Sequence, residues 1–101
     1  MLRFMVVDAD DFEAMLTGAA LSALGHRVDK FTSAEVAIDA LRHSPGAYDA
    51  VVASELDNMT RADFAREAQR THTSLRVVIT ERSSDPAGAM RALFAEERLA
   101  A

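Results

Sequence analysis

The sequence contains no cysteine and only one lysine, Lys30. Without cysteine the chain has no disulfide, no thiolate catalysis and no cysteine-ligated zinc site. Acidic residues outnumber basic residues by 16 to 11, which gives a formal net charge of −5. Because domains that bind nucleic acids usually present a basic patch, we expect no nucleic-acid partner.

Long hydrophobic runs are also absent. The longest apolar stretches have only a few residues, far fewer than the roughly 18 that would indicate a membrane span. The segment from Met1 to Val7 is too short for a signal peptide and is followed by Asp8. We therefore expect a cytoplasmic protein without a membrane partner. With 101 residues, 50% of them hydrophobic and 27% charged, residues 1–101 are predicted to form one globular domain.

Four short apolar runs predict four strands, at residues 2–7, 26–31, 48–53 and 75–80. Helical spacing follows each of them. The first helix is predicted from Asp11 to a stop at Gly25. Apolar residues follow helical spacing through it, at Phe12, Met15, Leu16, Ala19, Ala20, Ala23 and Leu24. Of these, Met15, Leu16 and Ala19 are predicted to be core rather than partner surface.

Capping signals place the other three helices. The second begins at the capping box of residues 32–35 and ends at the Ser-Pro-Gly sequence of residues 44–46. The third begins at Thr60, and the fourth runs from Asp85 and Pro86 to the end of the sequence. Their predicted apolar faces are, in chain order, Val36, Ala37, Ala40 and Leu41; Phe64, Ala65 and Ala68; and Met90, Leu93 and Phe94.

Alternation of strands and helices favours an α/β fold with a parallel sheet covered on both faces. In such sheets, functional sites form at the carboxyl ends of the strands. Three of the predicted strands end in polar residues, which makes their carboxyl ends the candidate site. These residues are Asp8, Asp10 and Asp11; Ser54, Glu55 and Asp57; and Thr80 and Glu81.

The predicted strands, helices and strand-end residues, taken in chain order, resemble the receiver domain of bacterial two-component response regulators. The resemblance is carried by residues 4–8 and the acids after them, residues 23–26, residues 33–35, residues 48–52 and residues 77–80, and it covers nearly the whole chain. It implies a flavodoxin-like doubly wound parallel sheet. Receivers have five strands and five helices, whereas this sequence offers four of each, so the resemblance implies a receiver that lacks its fifth strand and helix.

The resemblance also assigns the phosphorylation positions of the family. Asp8 matches the first of two adjacent acids, but Ala9 falls on the second, which is a metal ligand in the family. Ser54 falls on the position of the phospho-accepting aspartate. Thr80 matches the position at the end of the fourth strand where the family has a serine or threonine. Glu81 falls where receivers have a very small residue. The lysine position is empty, because no lysine follows Lys30.

These differences predict a degenerate receiver, or pseudo-receiver, that is not an enzyme and holds no metal or cofactor. Ser54 offers a hydroxyl where an acyl phosphate needs a carboxylate, and Ala9 removes a ligand of Mg²⁺. Glu81 would repel a phosphoryl group. The alternative is an active phospho-acceptor that uses Asp57 or Ser54, with Mg²⁺ held by Asp8 and Asp10.

Structural interpretations of the same residues remain open. Asp8, Asp10 and Asp11 could cap the first helix, whose positive N-terminus favours acids, rather than bind a residual cation. Ser54 and Thr80 could be polar strand ends without a chemical role. A solvated loop acid is the alternative interpretation of Asp57.

Partner binding follows from the resemblance as well. In receivers, histidine kinases and histidine phosphotransferases dock at the first helix and neighbouring loops. The corresponding residues here are Asp11, Glu13, Ala14, Thr17, Asn58 and Met59. Without a fifth strand, residues 75–80 would form a bare apolar edge, and such edges favour association. We therefore also expect a homodimer, formed at this edge or by exchange of the last helix.

Overall fold

A computed structural model describes residues 2–80 of the chain. Glu81 and the helix predicted for residues 86–101 lie outside the described residues. The described elements alternate strictly between strand and helix. They are β1 (Arg3–Val7), α1 (Asp11–Ala23), β2 (Arg27–Phe31), α2 (Ala34–His43), β3 (Ala50–Ala53), α3 (Arg61–Thr71) and β4 (Arg76–Ile79).

The strands form one parallel sheet in the order β2-β1-β3-β4. This confirms the predicted α/β fold with four parallel strands. Strands β1 and β3 are central and bury nearly every side chain on both faces, which is typical of a parallel sheet covered by helices. Within residues 2–80, β4 pairs only with β3 and forms one edge of the sheet.

Side-chain caps start the three described helices. Asp10 caps α1 by accepting hydrogen bonds from the N–H groups of Phe12 and Glu13. Thr60 caps α3, as predicted. The cap of α2 is Ser33, which accepts from the N–H of Val36, and not the first residue of the predicted capping box. Each cap satisfies N–H groups that have no partner within the helix.

Two apolar clusters cover the two faces of the sheet. The larger cluster packs α2 and α3 against side chains such as Met5 and Val51, with Phe64 fully buried. The other packs α1 against Phe4, Val6 and neighbouring side chains of the same face. The backbone turns from α1 into β2 at Gly25, whose φ of 88° explains why a glycine ends this helix.

The predicted core face of α1 is wrong. Its buried residues are Ala14, Gly18 and Leu21, whereas the side chains of Phe12 and Met15 are 61% and 46% exposed. The helix lies so close to β2 that a Cβ added at Gly18 would lie 3.2 Å from Cδ of Lys30. Ala14 and Gly18 therefore face the sheet together with Leu21, while Phe12 and Met15 point outward.

Helix α2 shows a smaller discrepancy of the same kind. Val36 was predicted on its apolar face but is 54% exposed. The buried face consists of Ala34, Ala37, Ile38 and Leu41, and Ala40 packs against the same cluster. The prediction is therefore correct for three of its four residues. No helix within residues 2–80 is both long enough and apolar enough to cross a membrane.

Candidate functional site

Strand register brings three predicted site residues to the same edge of the sheet. Val7 pairs with Ala53, and Ala53 pairs with Ile79, so the next residue of each strand is Asp8, Ser54 or Thr80. We call these three residues the strand-end row. The row lies where the carboxyl ends of β1, β3 and β4 meet, which is the usual position of sites in open parallel sheets.

Backbone hydrogen bonds hold the row in place. The N–H of Ser54 donates to the carbonyl of Val7 at 3.1 Å, and the N–H of Thr80 donates to that of Ala53 at 2.8 Å. The N–H of Ala9 donates to the carbonyl of Glu55, also at 2.8 Å, and thereby joins the loop after β1 to the loop after β3. The edge of the sheet is therefore fastened by main-chain groups.

Asp8 is the one buried charged side chain among the described residues, with 3% exposure. Its Oδ1 accepts a hydrogen bond from the N–H of Asp10 at 2.9 Å. Burial raises the pKa of Asp8 above its ordinary value of 3.8, and the Asp10 N–H opposes that rise. The negative charges of Asp10, Glu13 and Glu55 raise the pKa further. The carboxyl group is thus placed where its charged form is disfavoured.

Ser54 and Thr80 have mainly structural contacts. The carbonyl of Ser54 accepts a hydrogen bond from Nε of Arg61 at 3.0 Å, which ties the end of β3 to the first turn of α3. The hydroxyl of Thr80 donates to the carbonyl of Ala53 at 3.5 Å, a long contact within the same strand pair. Both side chains are half-buried.

Asp57 has a role that the sequence analysis missed. Its Oδ1 accepts a hydrogen bond from the N–H of Ala34 at 3.1 Å, at the first residue of α2. A carboxylate is favoured there because the first N–H groups of a helix lack internal partners and carry partial positive charge. Asp57 is therefore engaged with α2 rather than only solvated, and it links the loop after β3 to the neighbouring helix.

The residues at the strand ends differ from the Mg²⁺ site that the sequence resemblance implies. Ala9 has no side-chain ligand, and Oδ1 of Asp8 and Oδ1 of Asp10 accept backbone N–H groups. Within residues 2–80, no group of three or more histidine, aspartate or glutamate side chains is placed to hold a metal ion.

The predicted partner-binding residues are only partly on the surface. Asp11 is exposed at the start of α1, and Glu13 and Thr17 are half-buried on the same helix. Ala14 is fully buried against the sheet, so including it in a docking surface was wrong. Ala14 and Gly18 both lie on the side of α1 that packs closely against the sheet.

Two further partner-binding candidates lie in the loop between β3 and α3. Asn58 is exposed and has a φ of 55°, a backbone conformation that asparagine tolerates better than most residues. Met59 is half-buried and packs against the larger apolar cluster. Glu81 lies outside the described residues.

No protein-family model matches the chain, and no curated protein matches its sequence. Solved structures do match it. A response regulator receiver domain protein from Clostridium thermocellum has a TM-score of 0.76 at 17% identity, over 94% of this chain and 76% of that one. The response regulator TrrA from Thermotoga maritima, in complex with Mg²⁺ and BeF, has a TM-score of 0.71 at 21% identity, over 88% of this chain and 81% of that one.

The receiver domain of the hybrid histidine kinase CckA is similar over 90% of this chain and 96% of its own length, with a TM-score of 0.68 and 12% identity. The fold of this chain is therefore that of response regulator receiver domains, as the sequence resemblance implied. Its described part has the four strands and three helices of a shortened receiver fold. At these identities, the similarity concerns the fold.

Proposed function

We propose that this chain is a pseudo-receiver: a signalling domain that binds a two-component partner without accepting a phosphoryl group, without Mg²⁺ and without enzymatic activity. The single observation that supports this most is Ser54 at the end of β3, between Asp8 and Thr80 of the strand-end row. A hydroxyl there cannot form the acyl phosphate that a carboxylate forms.

The surroundings of Ser54 support the same proposal. Asp8 is buried, and its Oδ1 already accepts the N–H of Asp10 in the loop after β1. Asp57, the other candidate acceptor, is engaged with the N–H of Ala34. Each acidic side chain that phosphotransfer would need is thus used to stabilise a loop or a helix start.

The proposed partner is a histidine kinase or a histidine phosphotransferase, in the cytoplasm. It would contact the exposed N-terminal end of α1 through Asp11, Glu13 and Thr17, with Asn58 and Met59 beside it. A partner held without phosphotransfer would be withheld from working receivers. We also propose that the chain self-associates as a homodimer, with the edge at β4 as one candidate surface.

A phosphodonor assay tests the first part of the proposal. The intact chain is incubated with acetyl phosphate and Mg²⁺, and its mass is measured. We expect no gain of about 80 Da, the mass added by one phosphoryl group. A working receiver domain treated in parallel serves as the positive control. A gain that requires Mg²⁺ would contradict the proposal and favour the alternative, an active response regulator.

Two variants would locate such a gain. Loss of the added mass in Asp57→Ala, together with its removal by hydroxylamine, would identify an acyl phosphate on Asp57. Loss in Ser54→Ala with resistance to hydroxylamine would identify a serine ester. The structure of TrrA with Mg²⁺ and BeF shows that a protein of this fold can hold such a complex, which makes this assay the decisive one.

Affinity capture tests the partner class. Extracts of the source cells are passed over the immobilised chain, and the bound proteins are identified by mass spectrometry. We expect a histidine kinase or phosphotransferase to bind, and a bait with Asp11→Lys and Glu13→Lys to retain at least about tenfold less, because rim charges steer association. Equal retention by both baits would refute the α1 end as the docking surface.

A further inference from the structure

The outward surface of α1 differs from that of the other described helices. Residues 14–25 contain no charged side chain, and α1 is apolar nearly all the way round. A helix with this composition is typically buried on all sides. In contrast, the outward surfaces of α2 and α3 carry many charges, including Asp39, Arg42 and Arg66. The outward side of α1 therefore has the composition of an interior.

Four exposed residues on this side form a continuous line, which we call the α1 stripe: Phe12, Met15, Ala19 and Ala23. Their spacing of three to four residues places them on one side of the helix. Beside the stripe runs a groove of about 210 Å³ between α1 and β2, lined by Met15, Gly18, Ala19, Ser22, Val28 and Lys30. The stripe and groove together offer an apolar strip with one cation at its border.

The ion pairs between described residues lie away from α1. All four ion pairs between residues 2 and 80 lie on α2 and α3, through three arginines and three acids, and one of them, Arg42 with Glu67, joins the two helices. Asp11 and Glu13 at the start of α1, and Arg27 just after its end, take part in none of these pairs. Acids at one end and a base at the other leave this surface with complementary ends.

Side-chain size also changes along the stripe. Its N-terminal half carries the large residues Phe12 and Met15, and its C-terminal half carries the small residues Ala19 and Ala23. If two such helices pack in opposite directions about a two-fold axis, each large residue meets a small one, and each acidic end meets Arg27 of the other copy. Packing in the same direction would instead place large against large and acid against acid.

We propose that the α1 stripe is a self-association surface, on which a second copy of this chain packs its own α1 in the antiparallel direction. This inference rests on the self-association within the proposed function and names a different surface for it than the edge at β4. The interface would be isologous, with Met15 of each copy against Ala19 of the other. Asp11 and Glu13 of each copy would lie near Arg27 of the other, at the two ends of the interface.

The size of the surface predicts a weak dimer. A helix of 13 residues is about 20 Å long, so the stripe and its borders bury less than the roughly 800 Å² per partner of a standard interface. We therefore expect a dissociation constant in the micromolar range or above. Sedimentation equilibrium should cover protein concentrations from about 5 to 500 μM, because monomer and dimer are both populated only when the protein concentration is near the dissociation constant.

Three charged variants of the full chain distinguish the possible surfaces. Met15→Glu places a charge in the stripe and is expected to weaken self-association at least about tenfold. Val36→Glu places the same charge at another exposed apolar residue, on α2, and is expected to leave self-association unchanged. Ile79→Lys places a charge at the edge at β4 and is also expected to leave self-association unchanged.

Mixing two variants adds a test of direction. Ala19→Lys alone should weaken self-association, but a mixture of the M15E and A19K chains should form a heterodimer, because the new charges face each other only in the antiparallel arrangement. Circular dichroism of each variant checks that it is folded. A mixture that stays monomeric while both chains are folded would overturn the antiparallel pairing.

The remaining results separate this inference from the proposed function. A wild-type chain that stays monomeric at the highest concentration would overturn both the proposed self-association and the α1 stripe. A dimer lost in I79K but kept in M15E would overturn the α1 stripe alone. Neither result bears on phosphorylation, because the phosphodonor assay reads covalent mass. A gain of phosphoryl mass would in turn refute the pseudo-receiver and leave the dimer test unaffected.

Discussion

Replacing Phe64 by alanine is expected to lower the free energy of unfolding by about 3–5 kcal/mol. Phe64 is fully buried on α3, within the cluster that joins α2 and α3 to the sheet. Removing its ring leaves a cavity that the close-packed surroundings can fill only in part. Since small domains are stable by only about 5–15 kcal/mol, this one change removes a large share of the total.

Phe12→Ala is the matched control for this prediction. The same ring is removed from α1, where it is 61% exposed, so a change within about 0.5 kcal/mol is expected. Urea unfolding followed by circular dichroism suits a chain without tryptophan and is done at low micromolar concentration to keep self-association out of the comparison. Equal losses in the two variants would show that the assignment of core and surface is wrong. Phe64→Leu serves if the alanine variant does not fold.

Replacing Asp8 by asparagine is expected to stabilise the protein at pH 7 by an amount on the order of 1 kcal/mol, the size of a typical single-site effect. Asparagine keeps an oxygen for the N–H of Asp10 but carries no buried charge. Because burial raises the pKa of Asp8, the folded chain binds its proton more tightly than the unfolded chain does. The stability that comes from the protonated form is fully present below the unfolded pKa, near 3.8, and is lost as the pH rises through the higher folded pKa.

The gain from Asp8→Asn should therefore shrink as the pH falls from 7 toward 4. Urea unfolding at several pH values measures the difference between variant and wild type. Asp39→Asn removes the same charge from an exposed position on α2 and corrects for the change in net charge. A variant that is no more stable than wild type at pH 7, or a gain that does not change with pH, would contradict the burial of a charged Asp8.

The architecture could be predicted because its determinants are local. Apolar runs such as Val51 and Val52 at the third strand indicate buried strands by themselves, and Thr60 marks a helix start through a contact with a residue three positions later. Gly25 marks the end of α1 through its own backbone conformation. Signals of this kind do not depend on the rest of the fold.

The burial of α1 could not be predicted, because its sequence offers apolar residues on every side. Helical spacing favoured Met15, Leu16 and Ala19 as core, yet the residues that the sheet buries are Ala14, Gly18 and Leu21. Gly18 lies close to Val28 and Lys30, which leaves no room for a large side chain at that position of α1. The distance between α1 and β2 is a property of the assembled fold.

The candidate site was predicted in its position but not in its contacts. Strand ends placed Asp8, Ser54 and Thr80 together, and register confirms that they are neighbours. The engagement of Asp57 joins residues 23 positions apart, at the N–H of Ala34, and no local pattern signals such a contact. The deep burial of Asp8 likewise depends on what packs around the end of β1.

Main-chain groups fasten the carboxyl edge of the sheet at positions 9, 54 and 80. Every amino acid except proline supplies the amide that each of these positions donates. At these three positions the hydrogen bonds are consequently independent of side-chain identity, so a substitution there can change the chemistry of the edge without removing them. Ala9 and Ser54 therefore hold their backbone contacts without a carboxylate, and proline is the substitution that this edge would not tolerate.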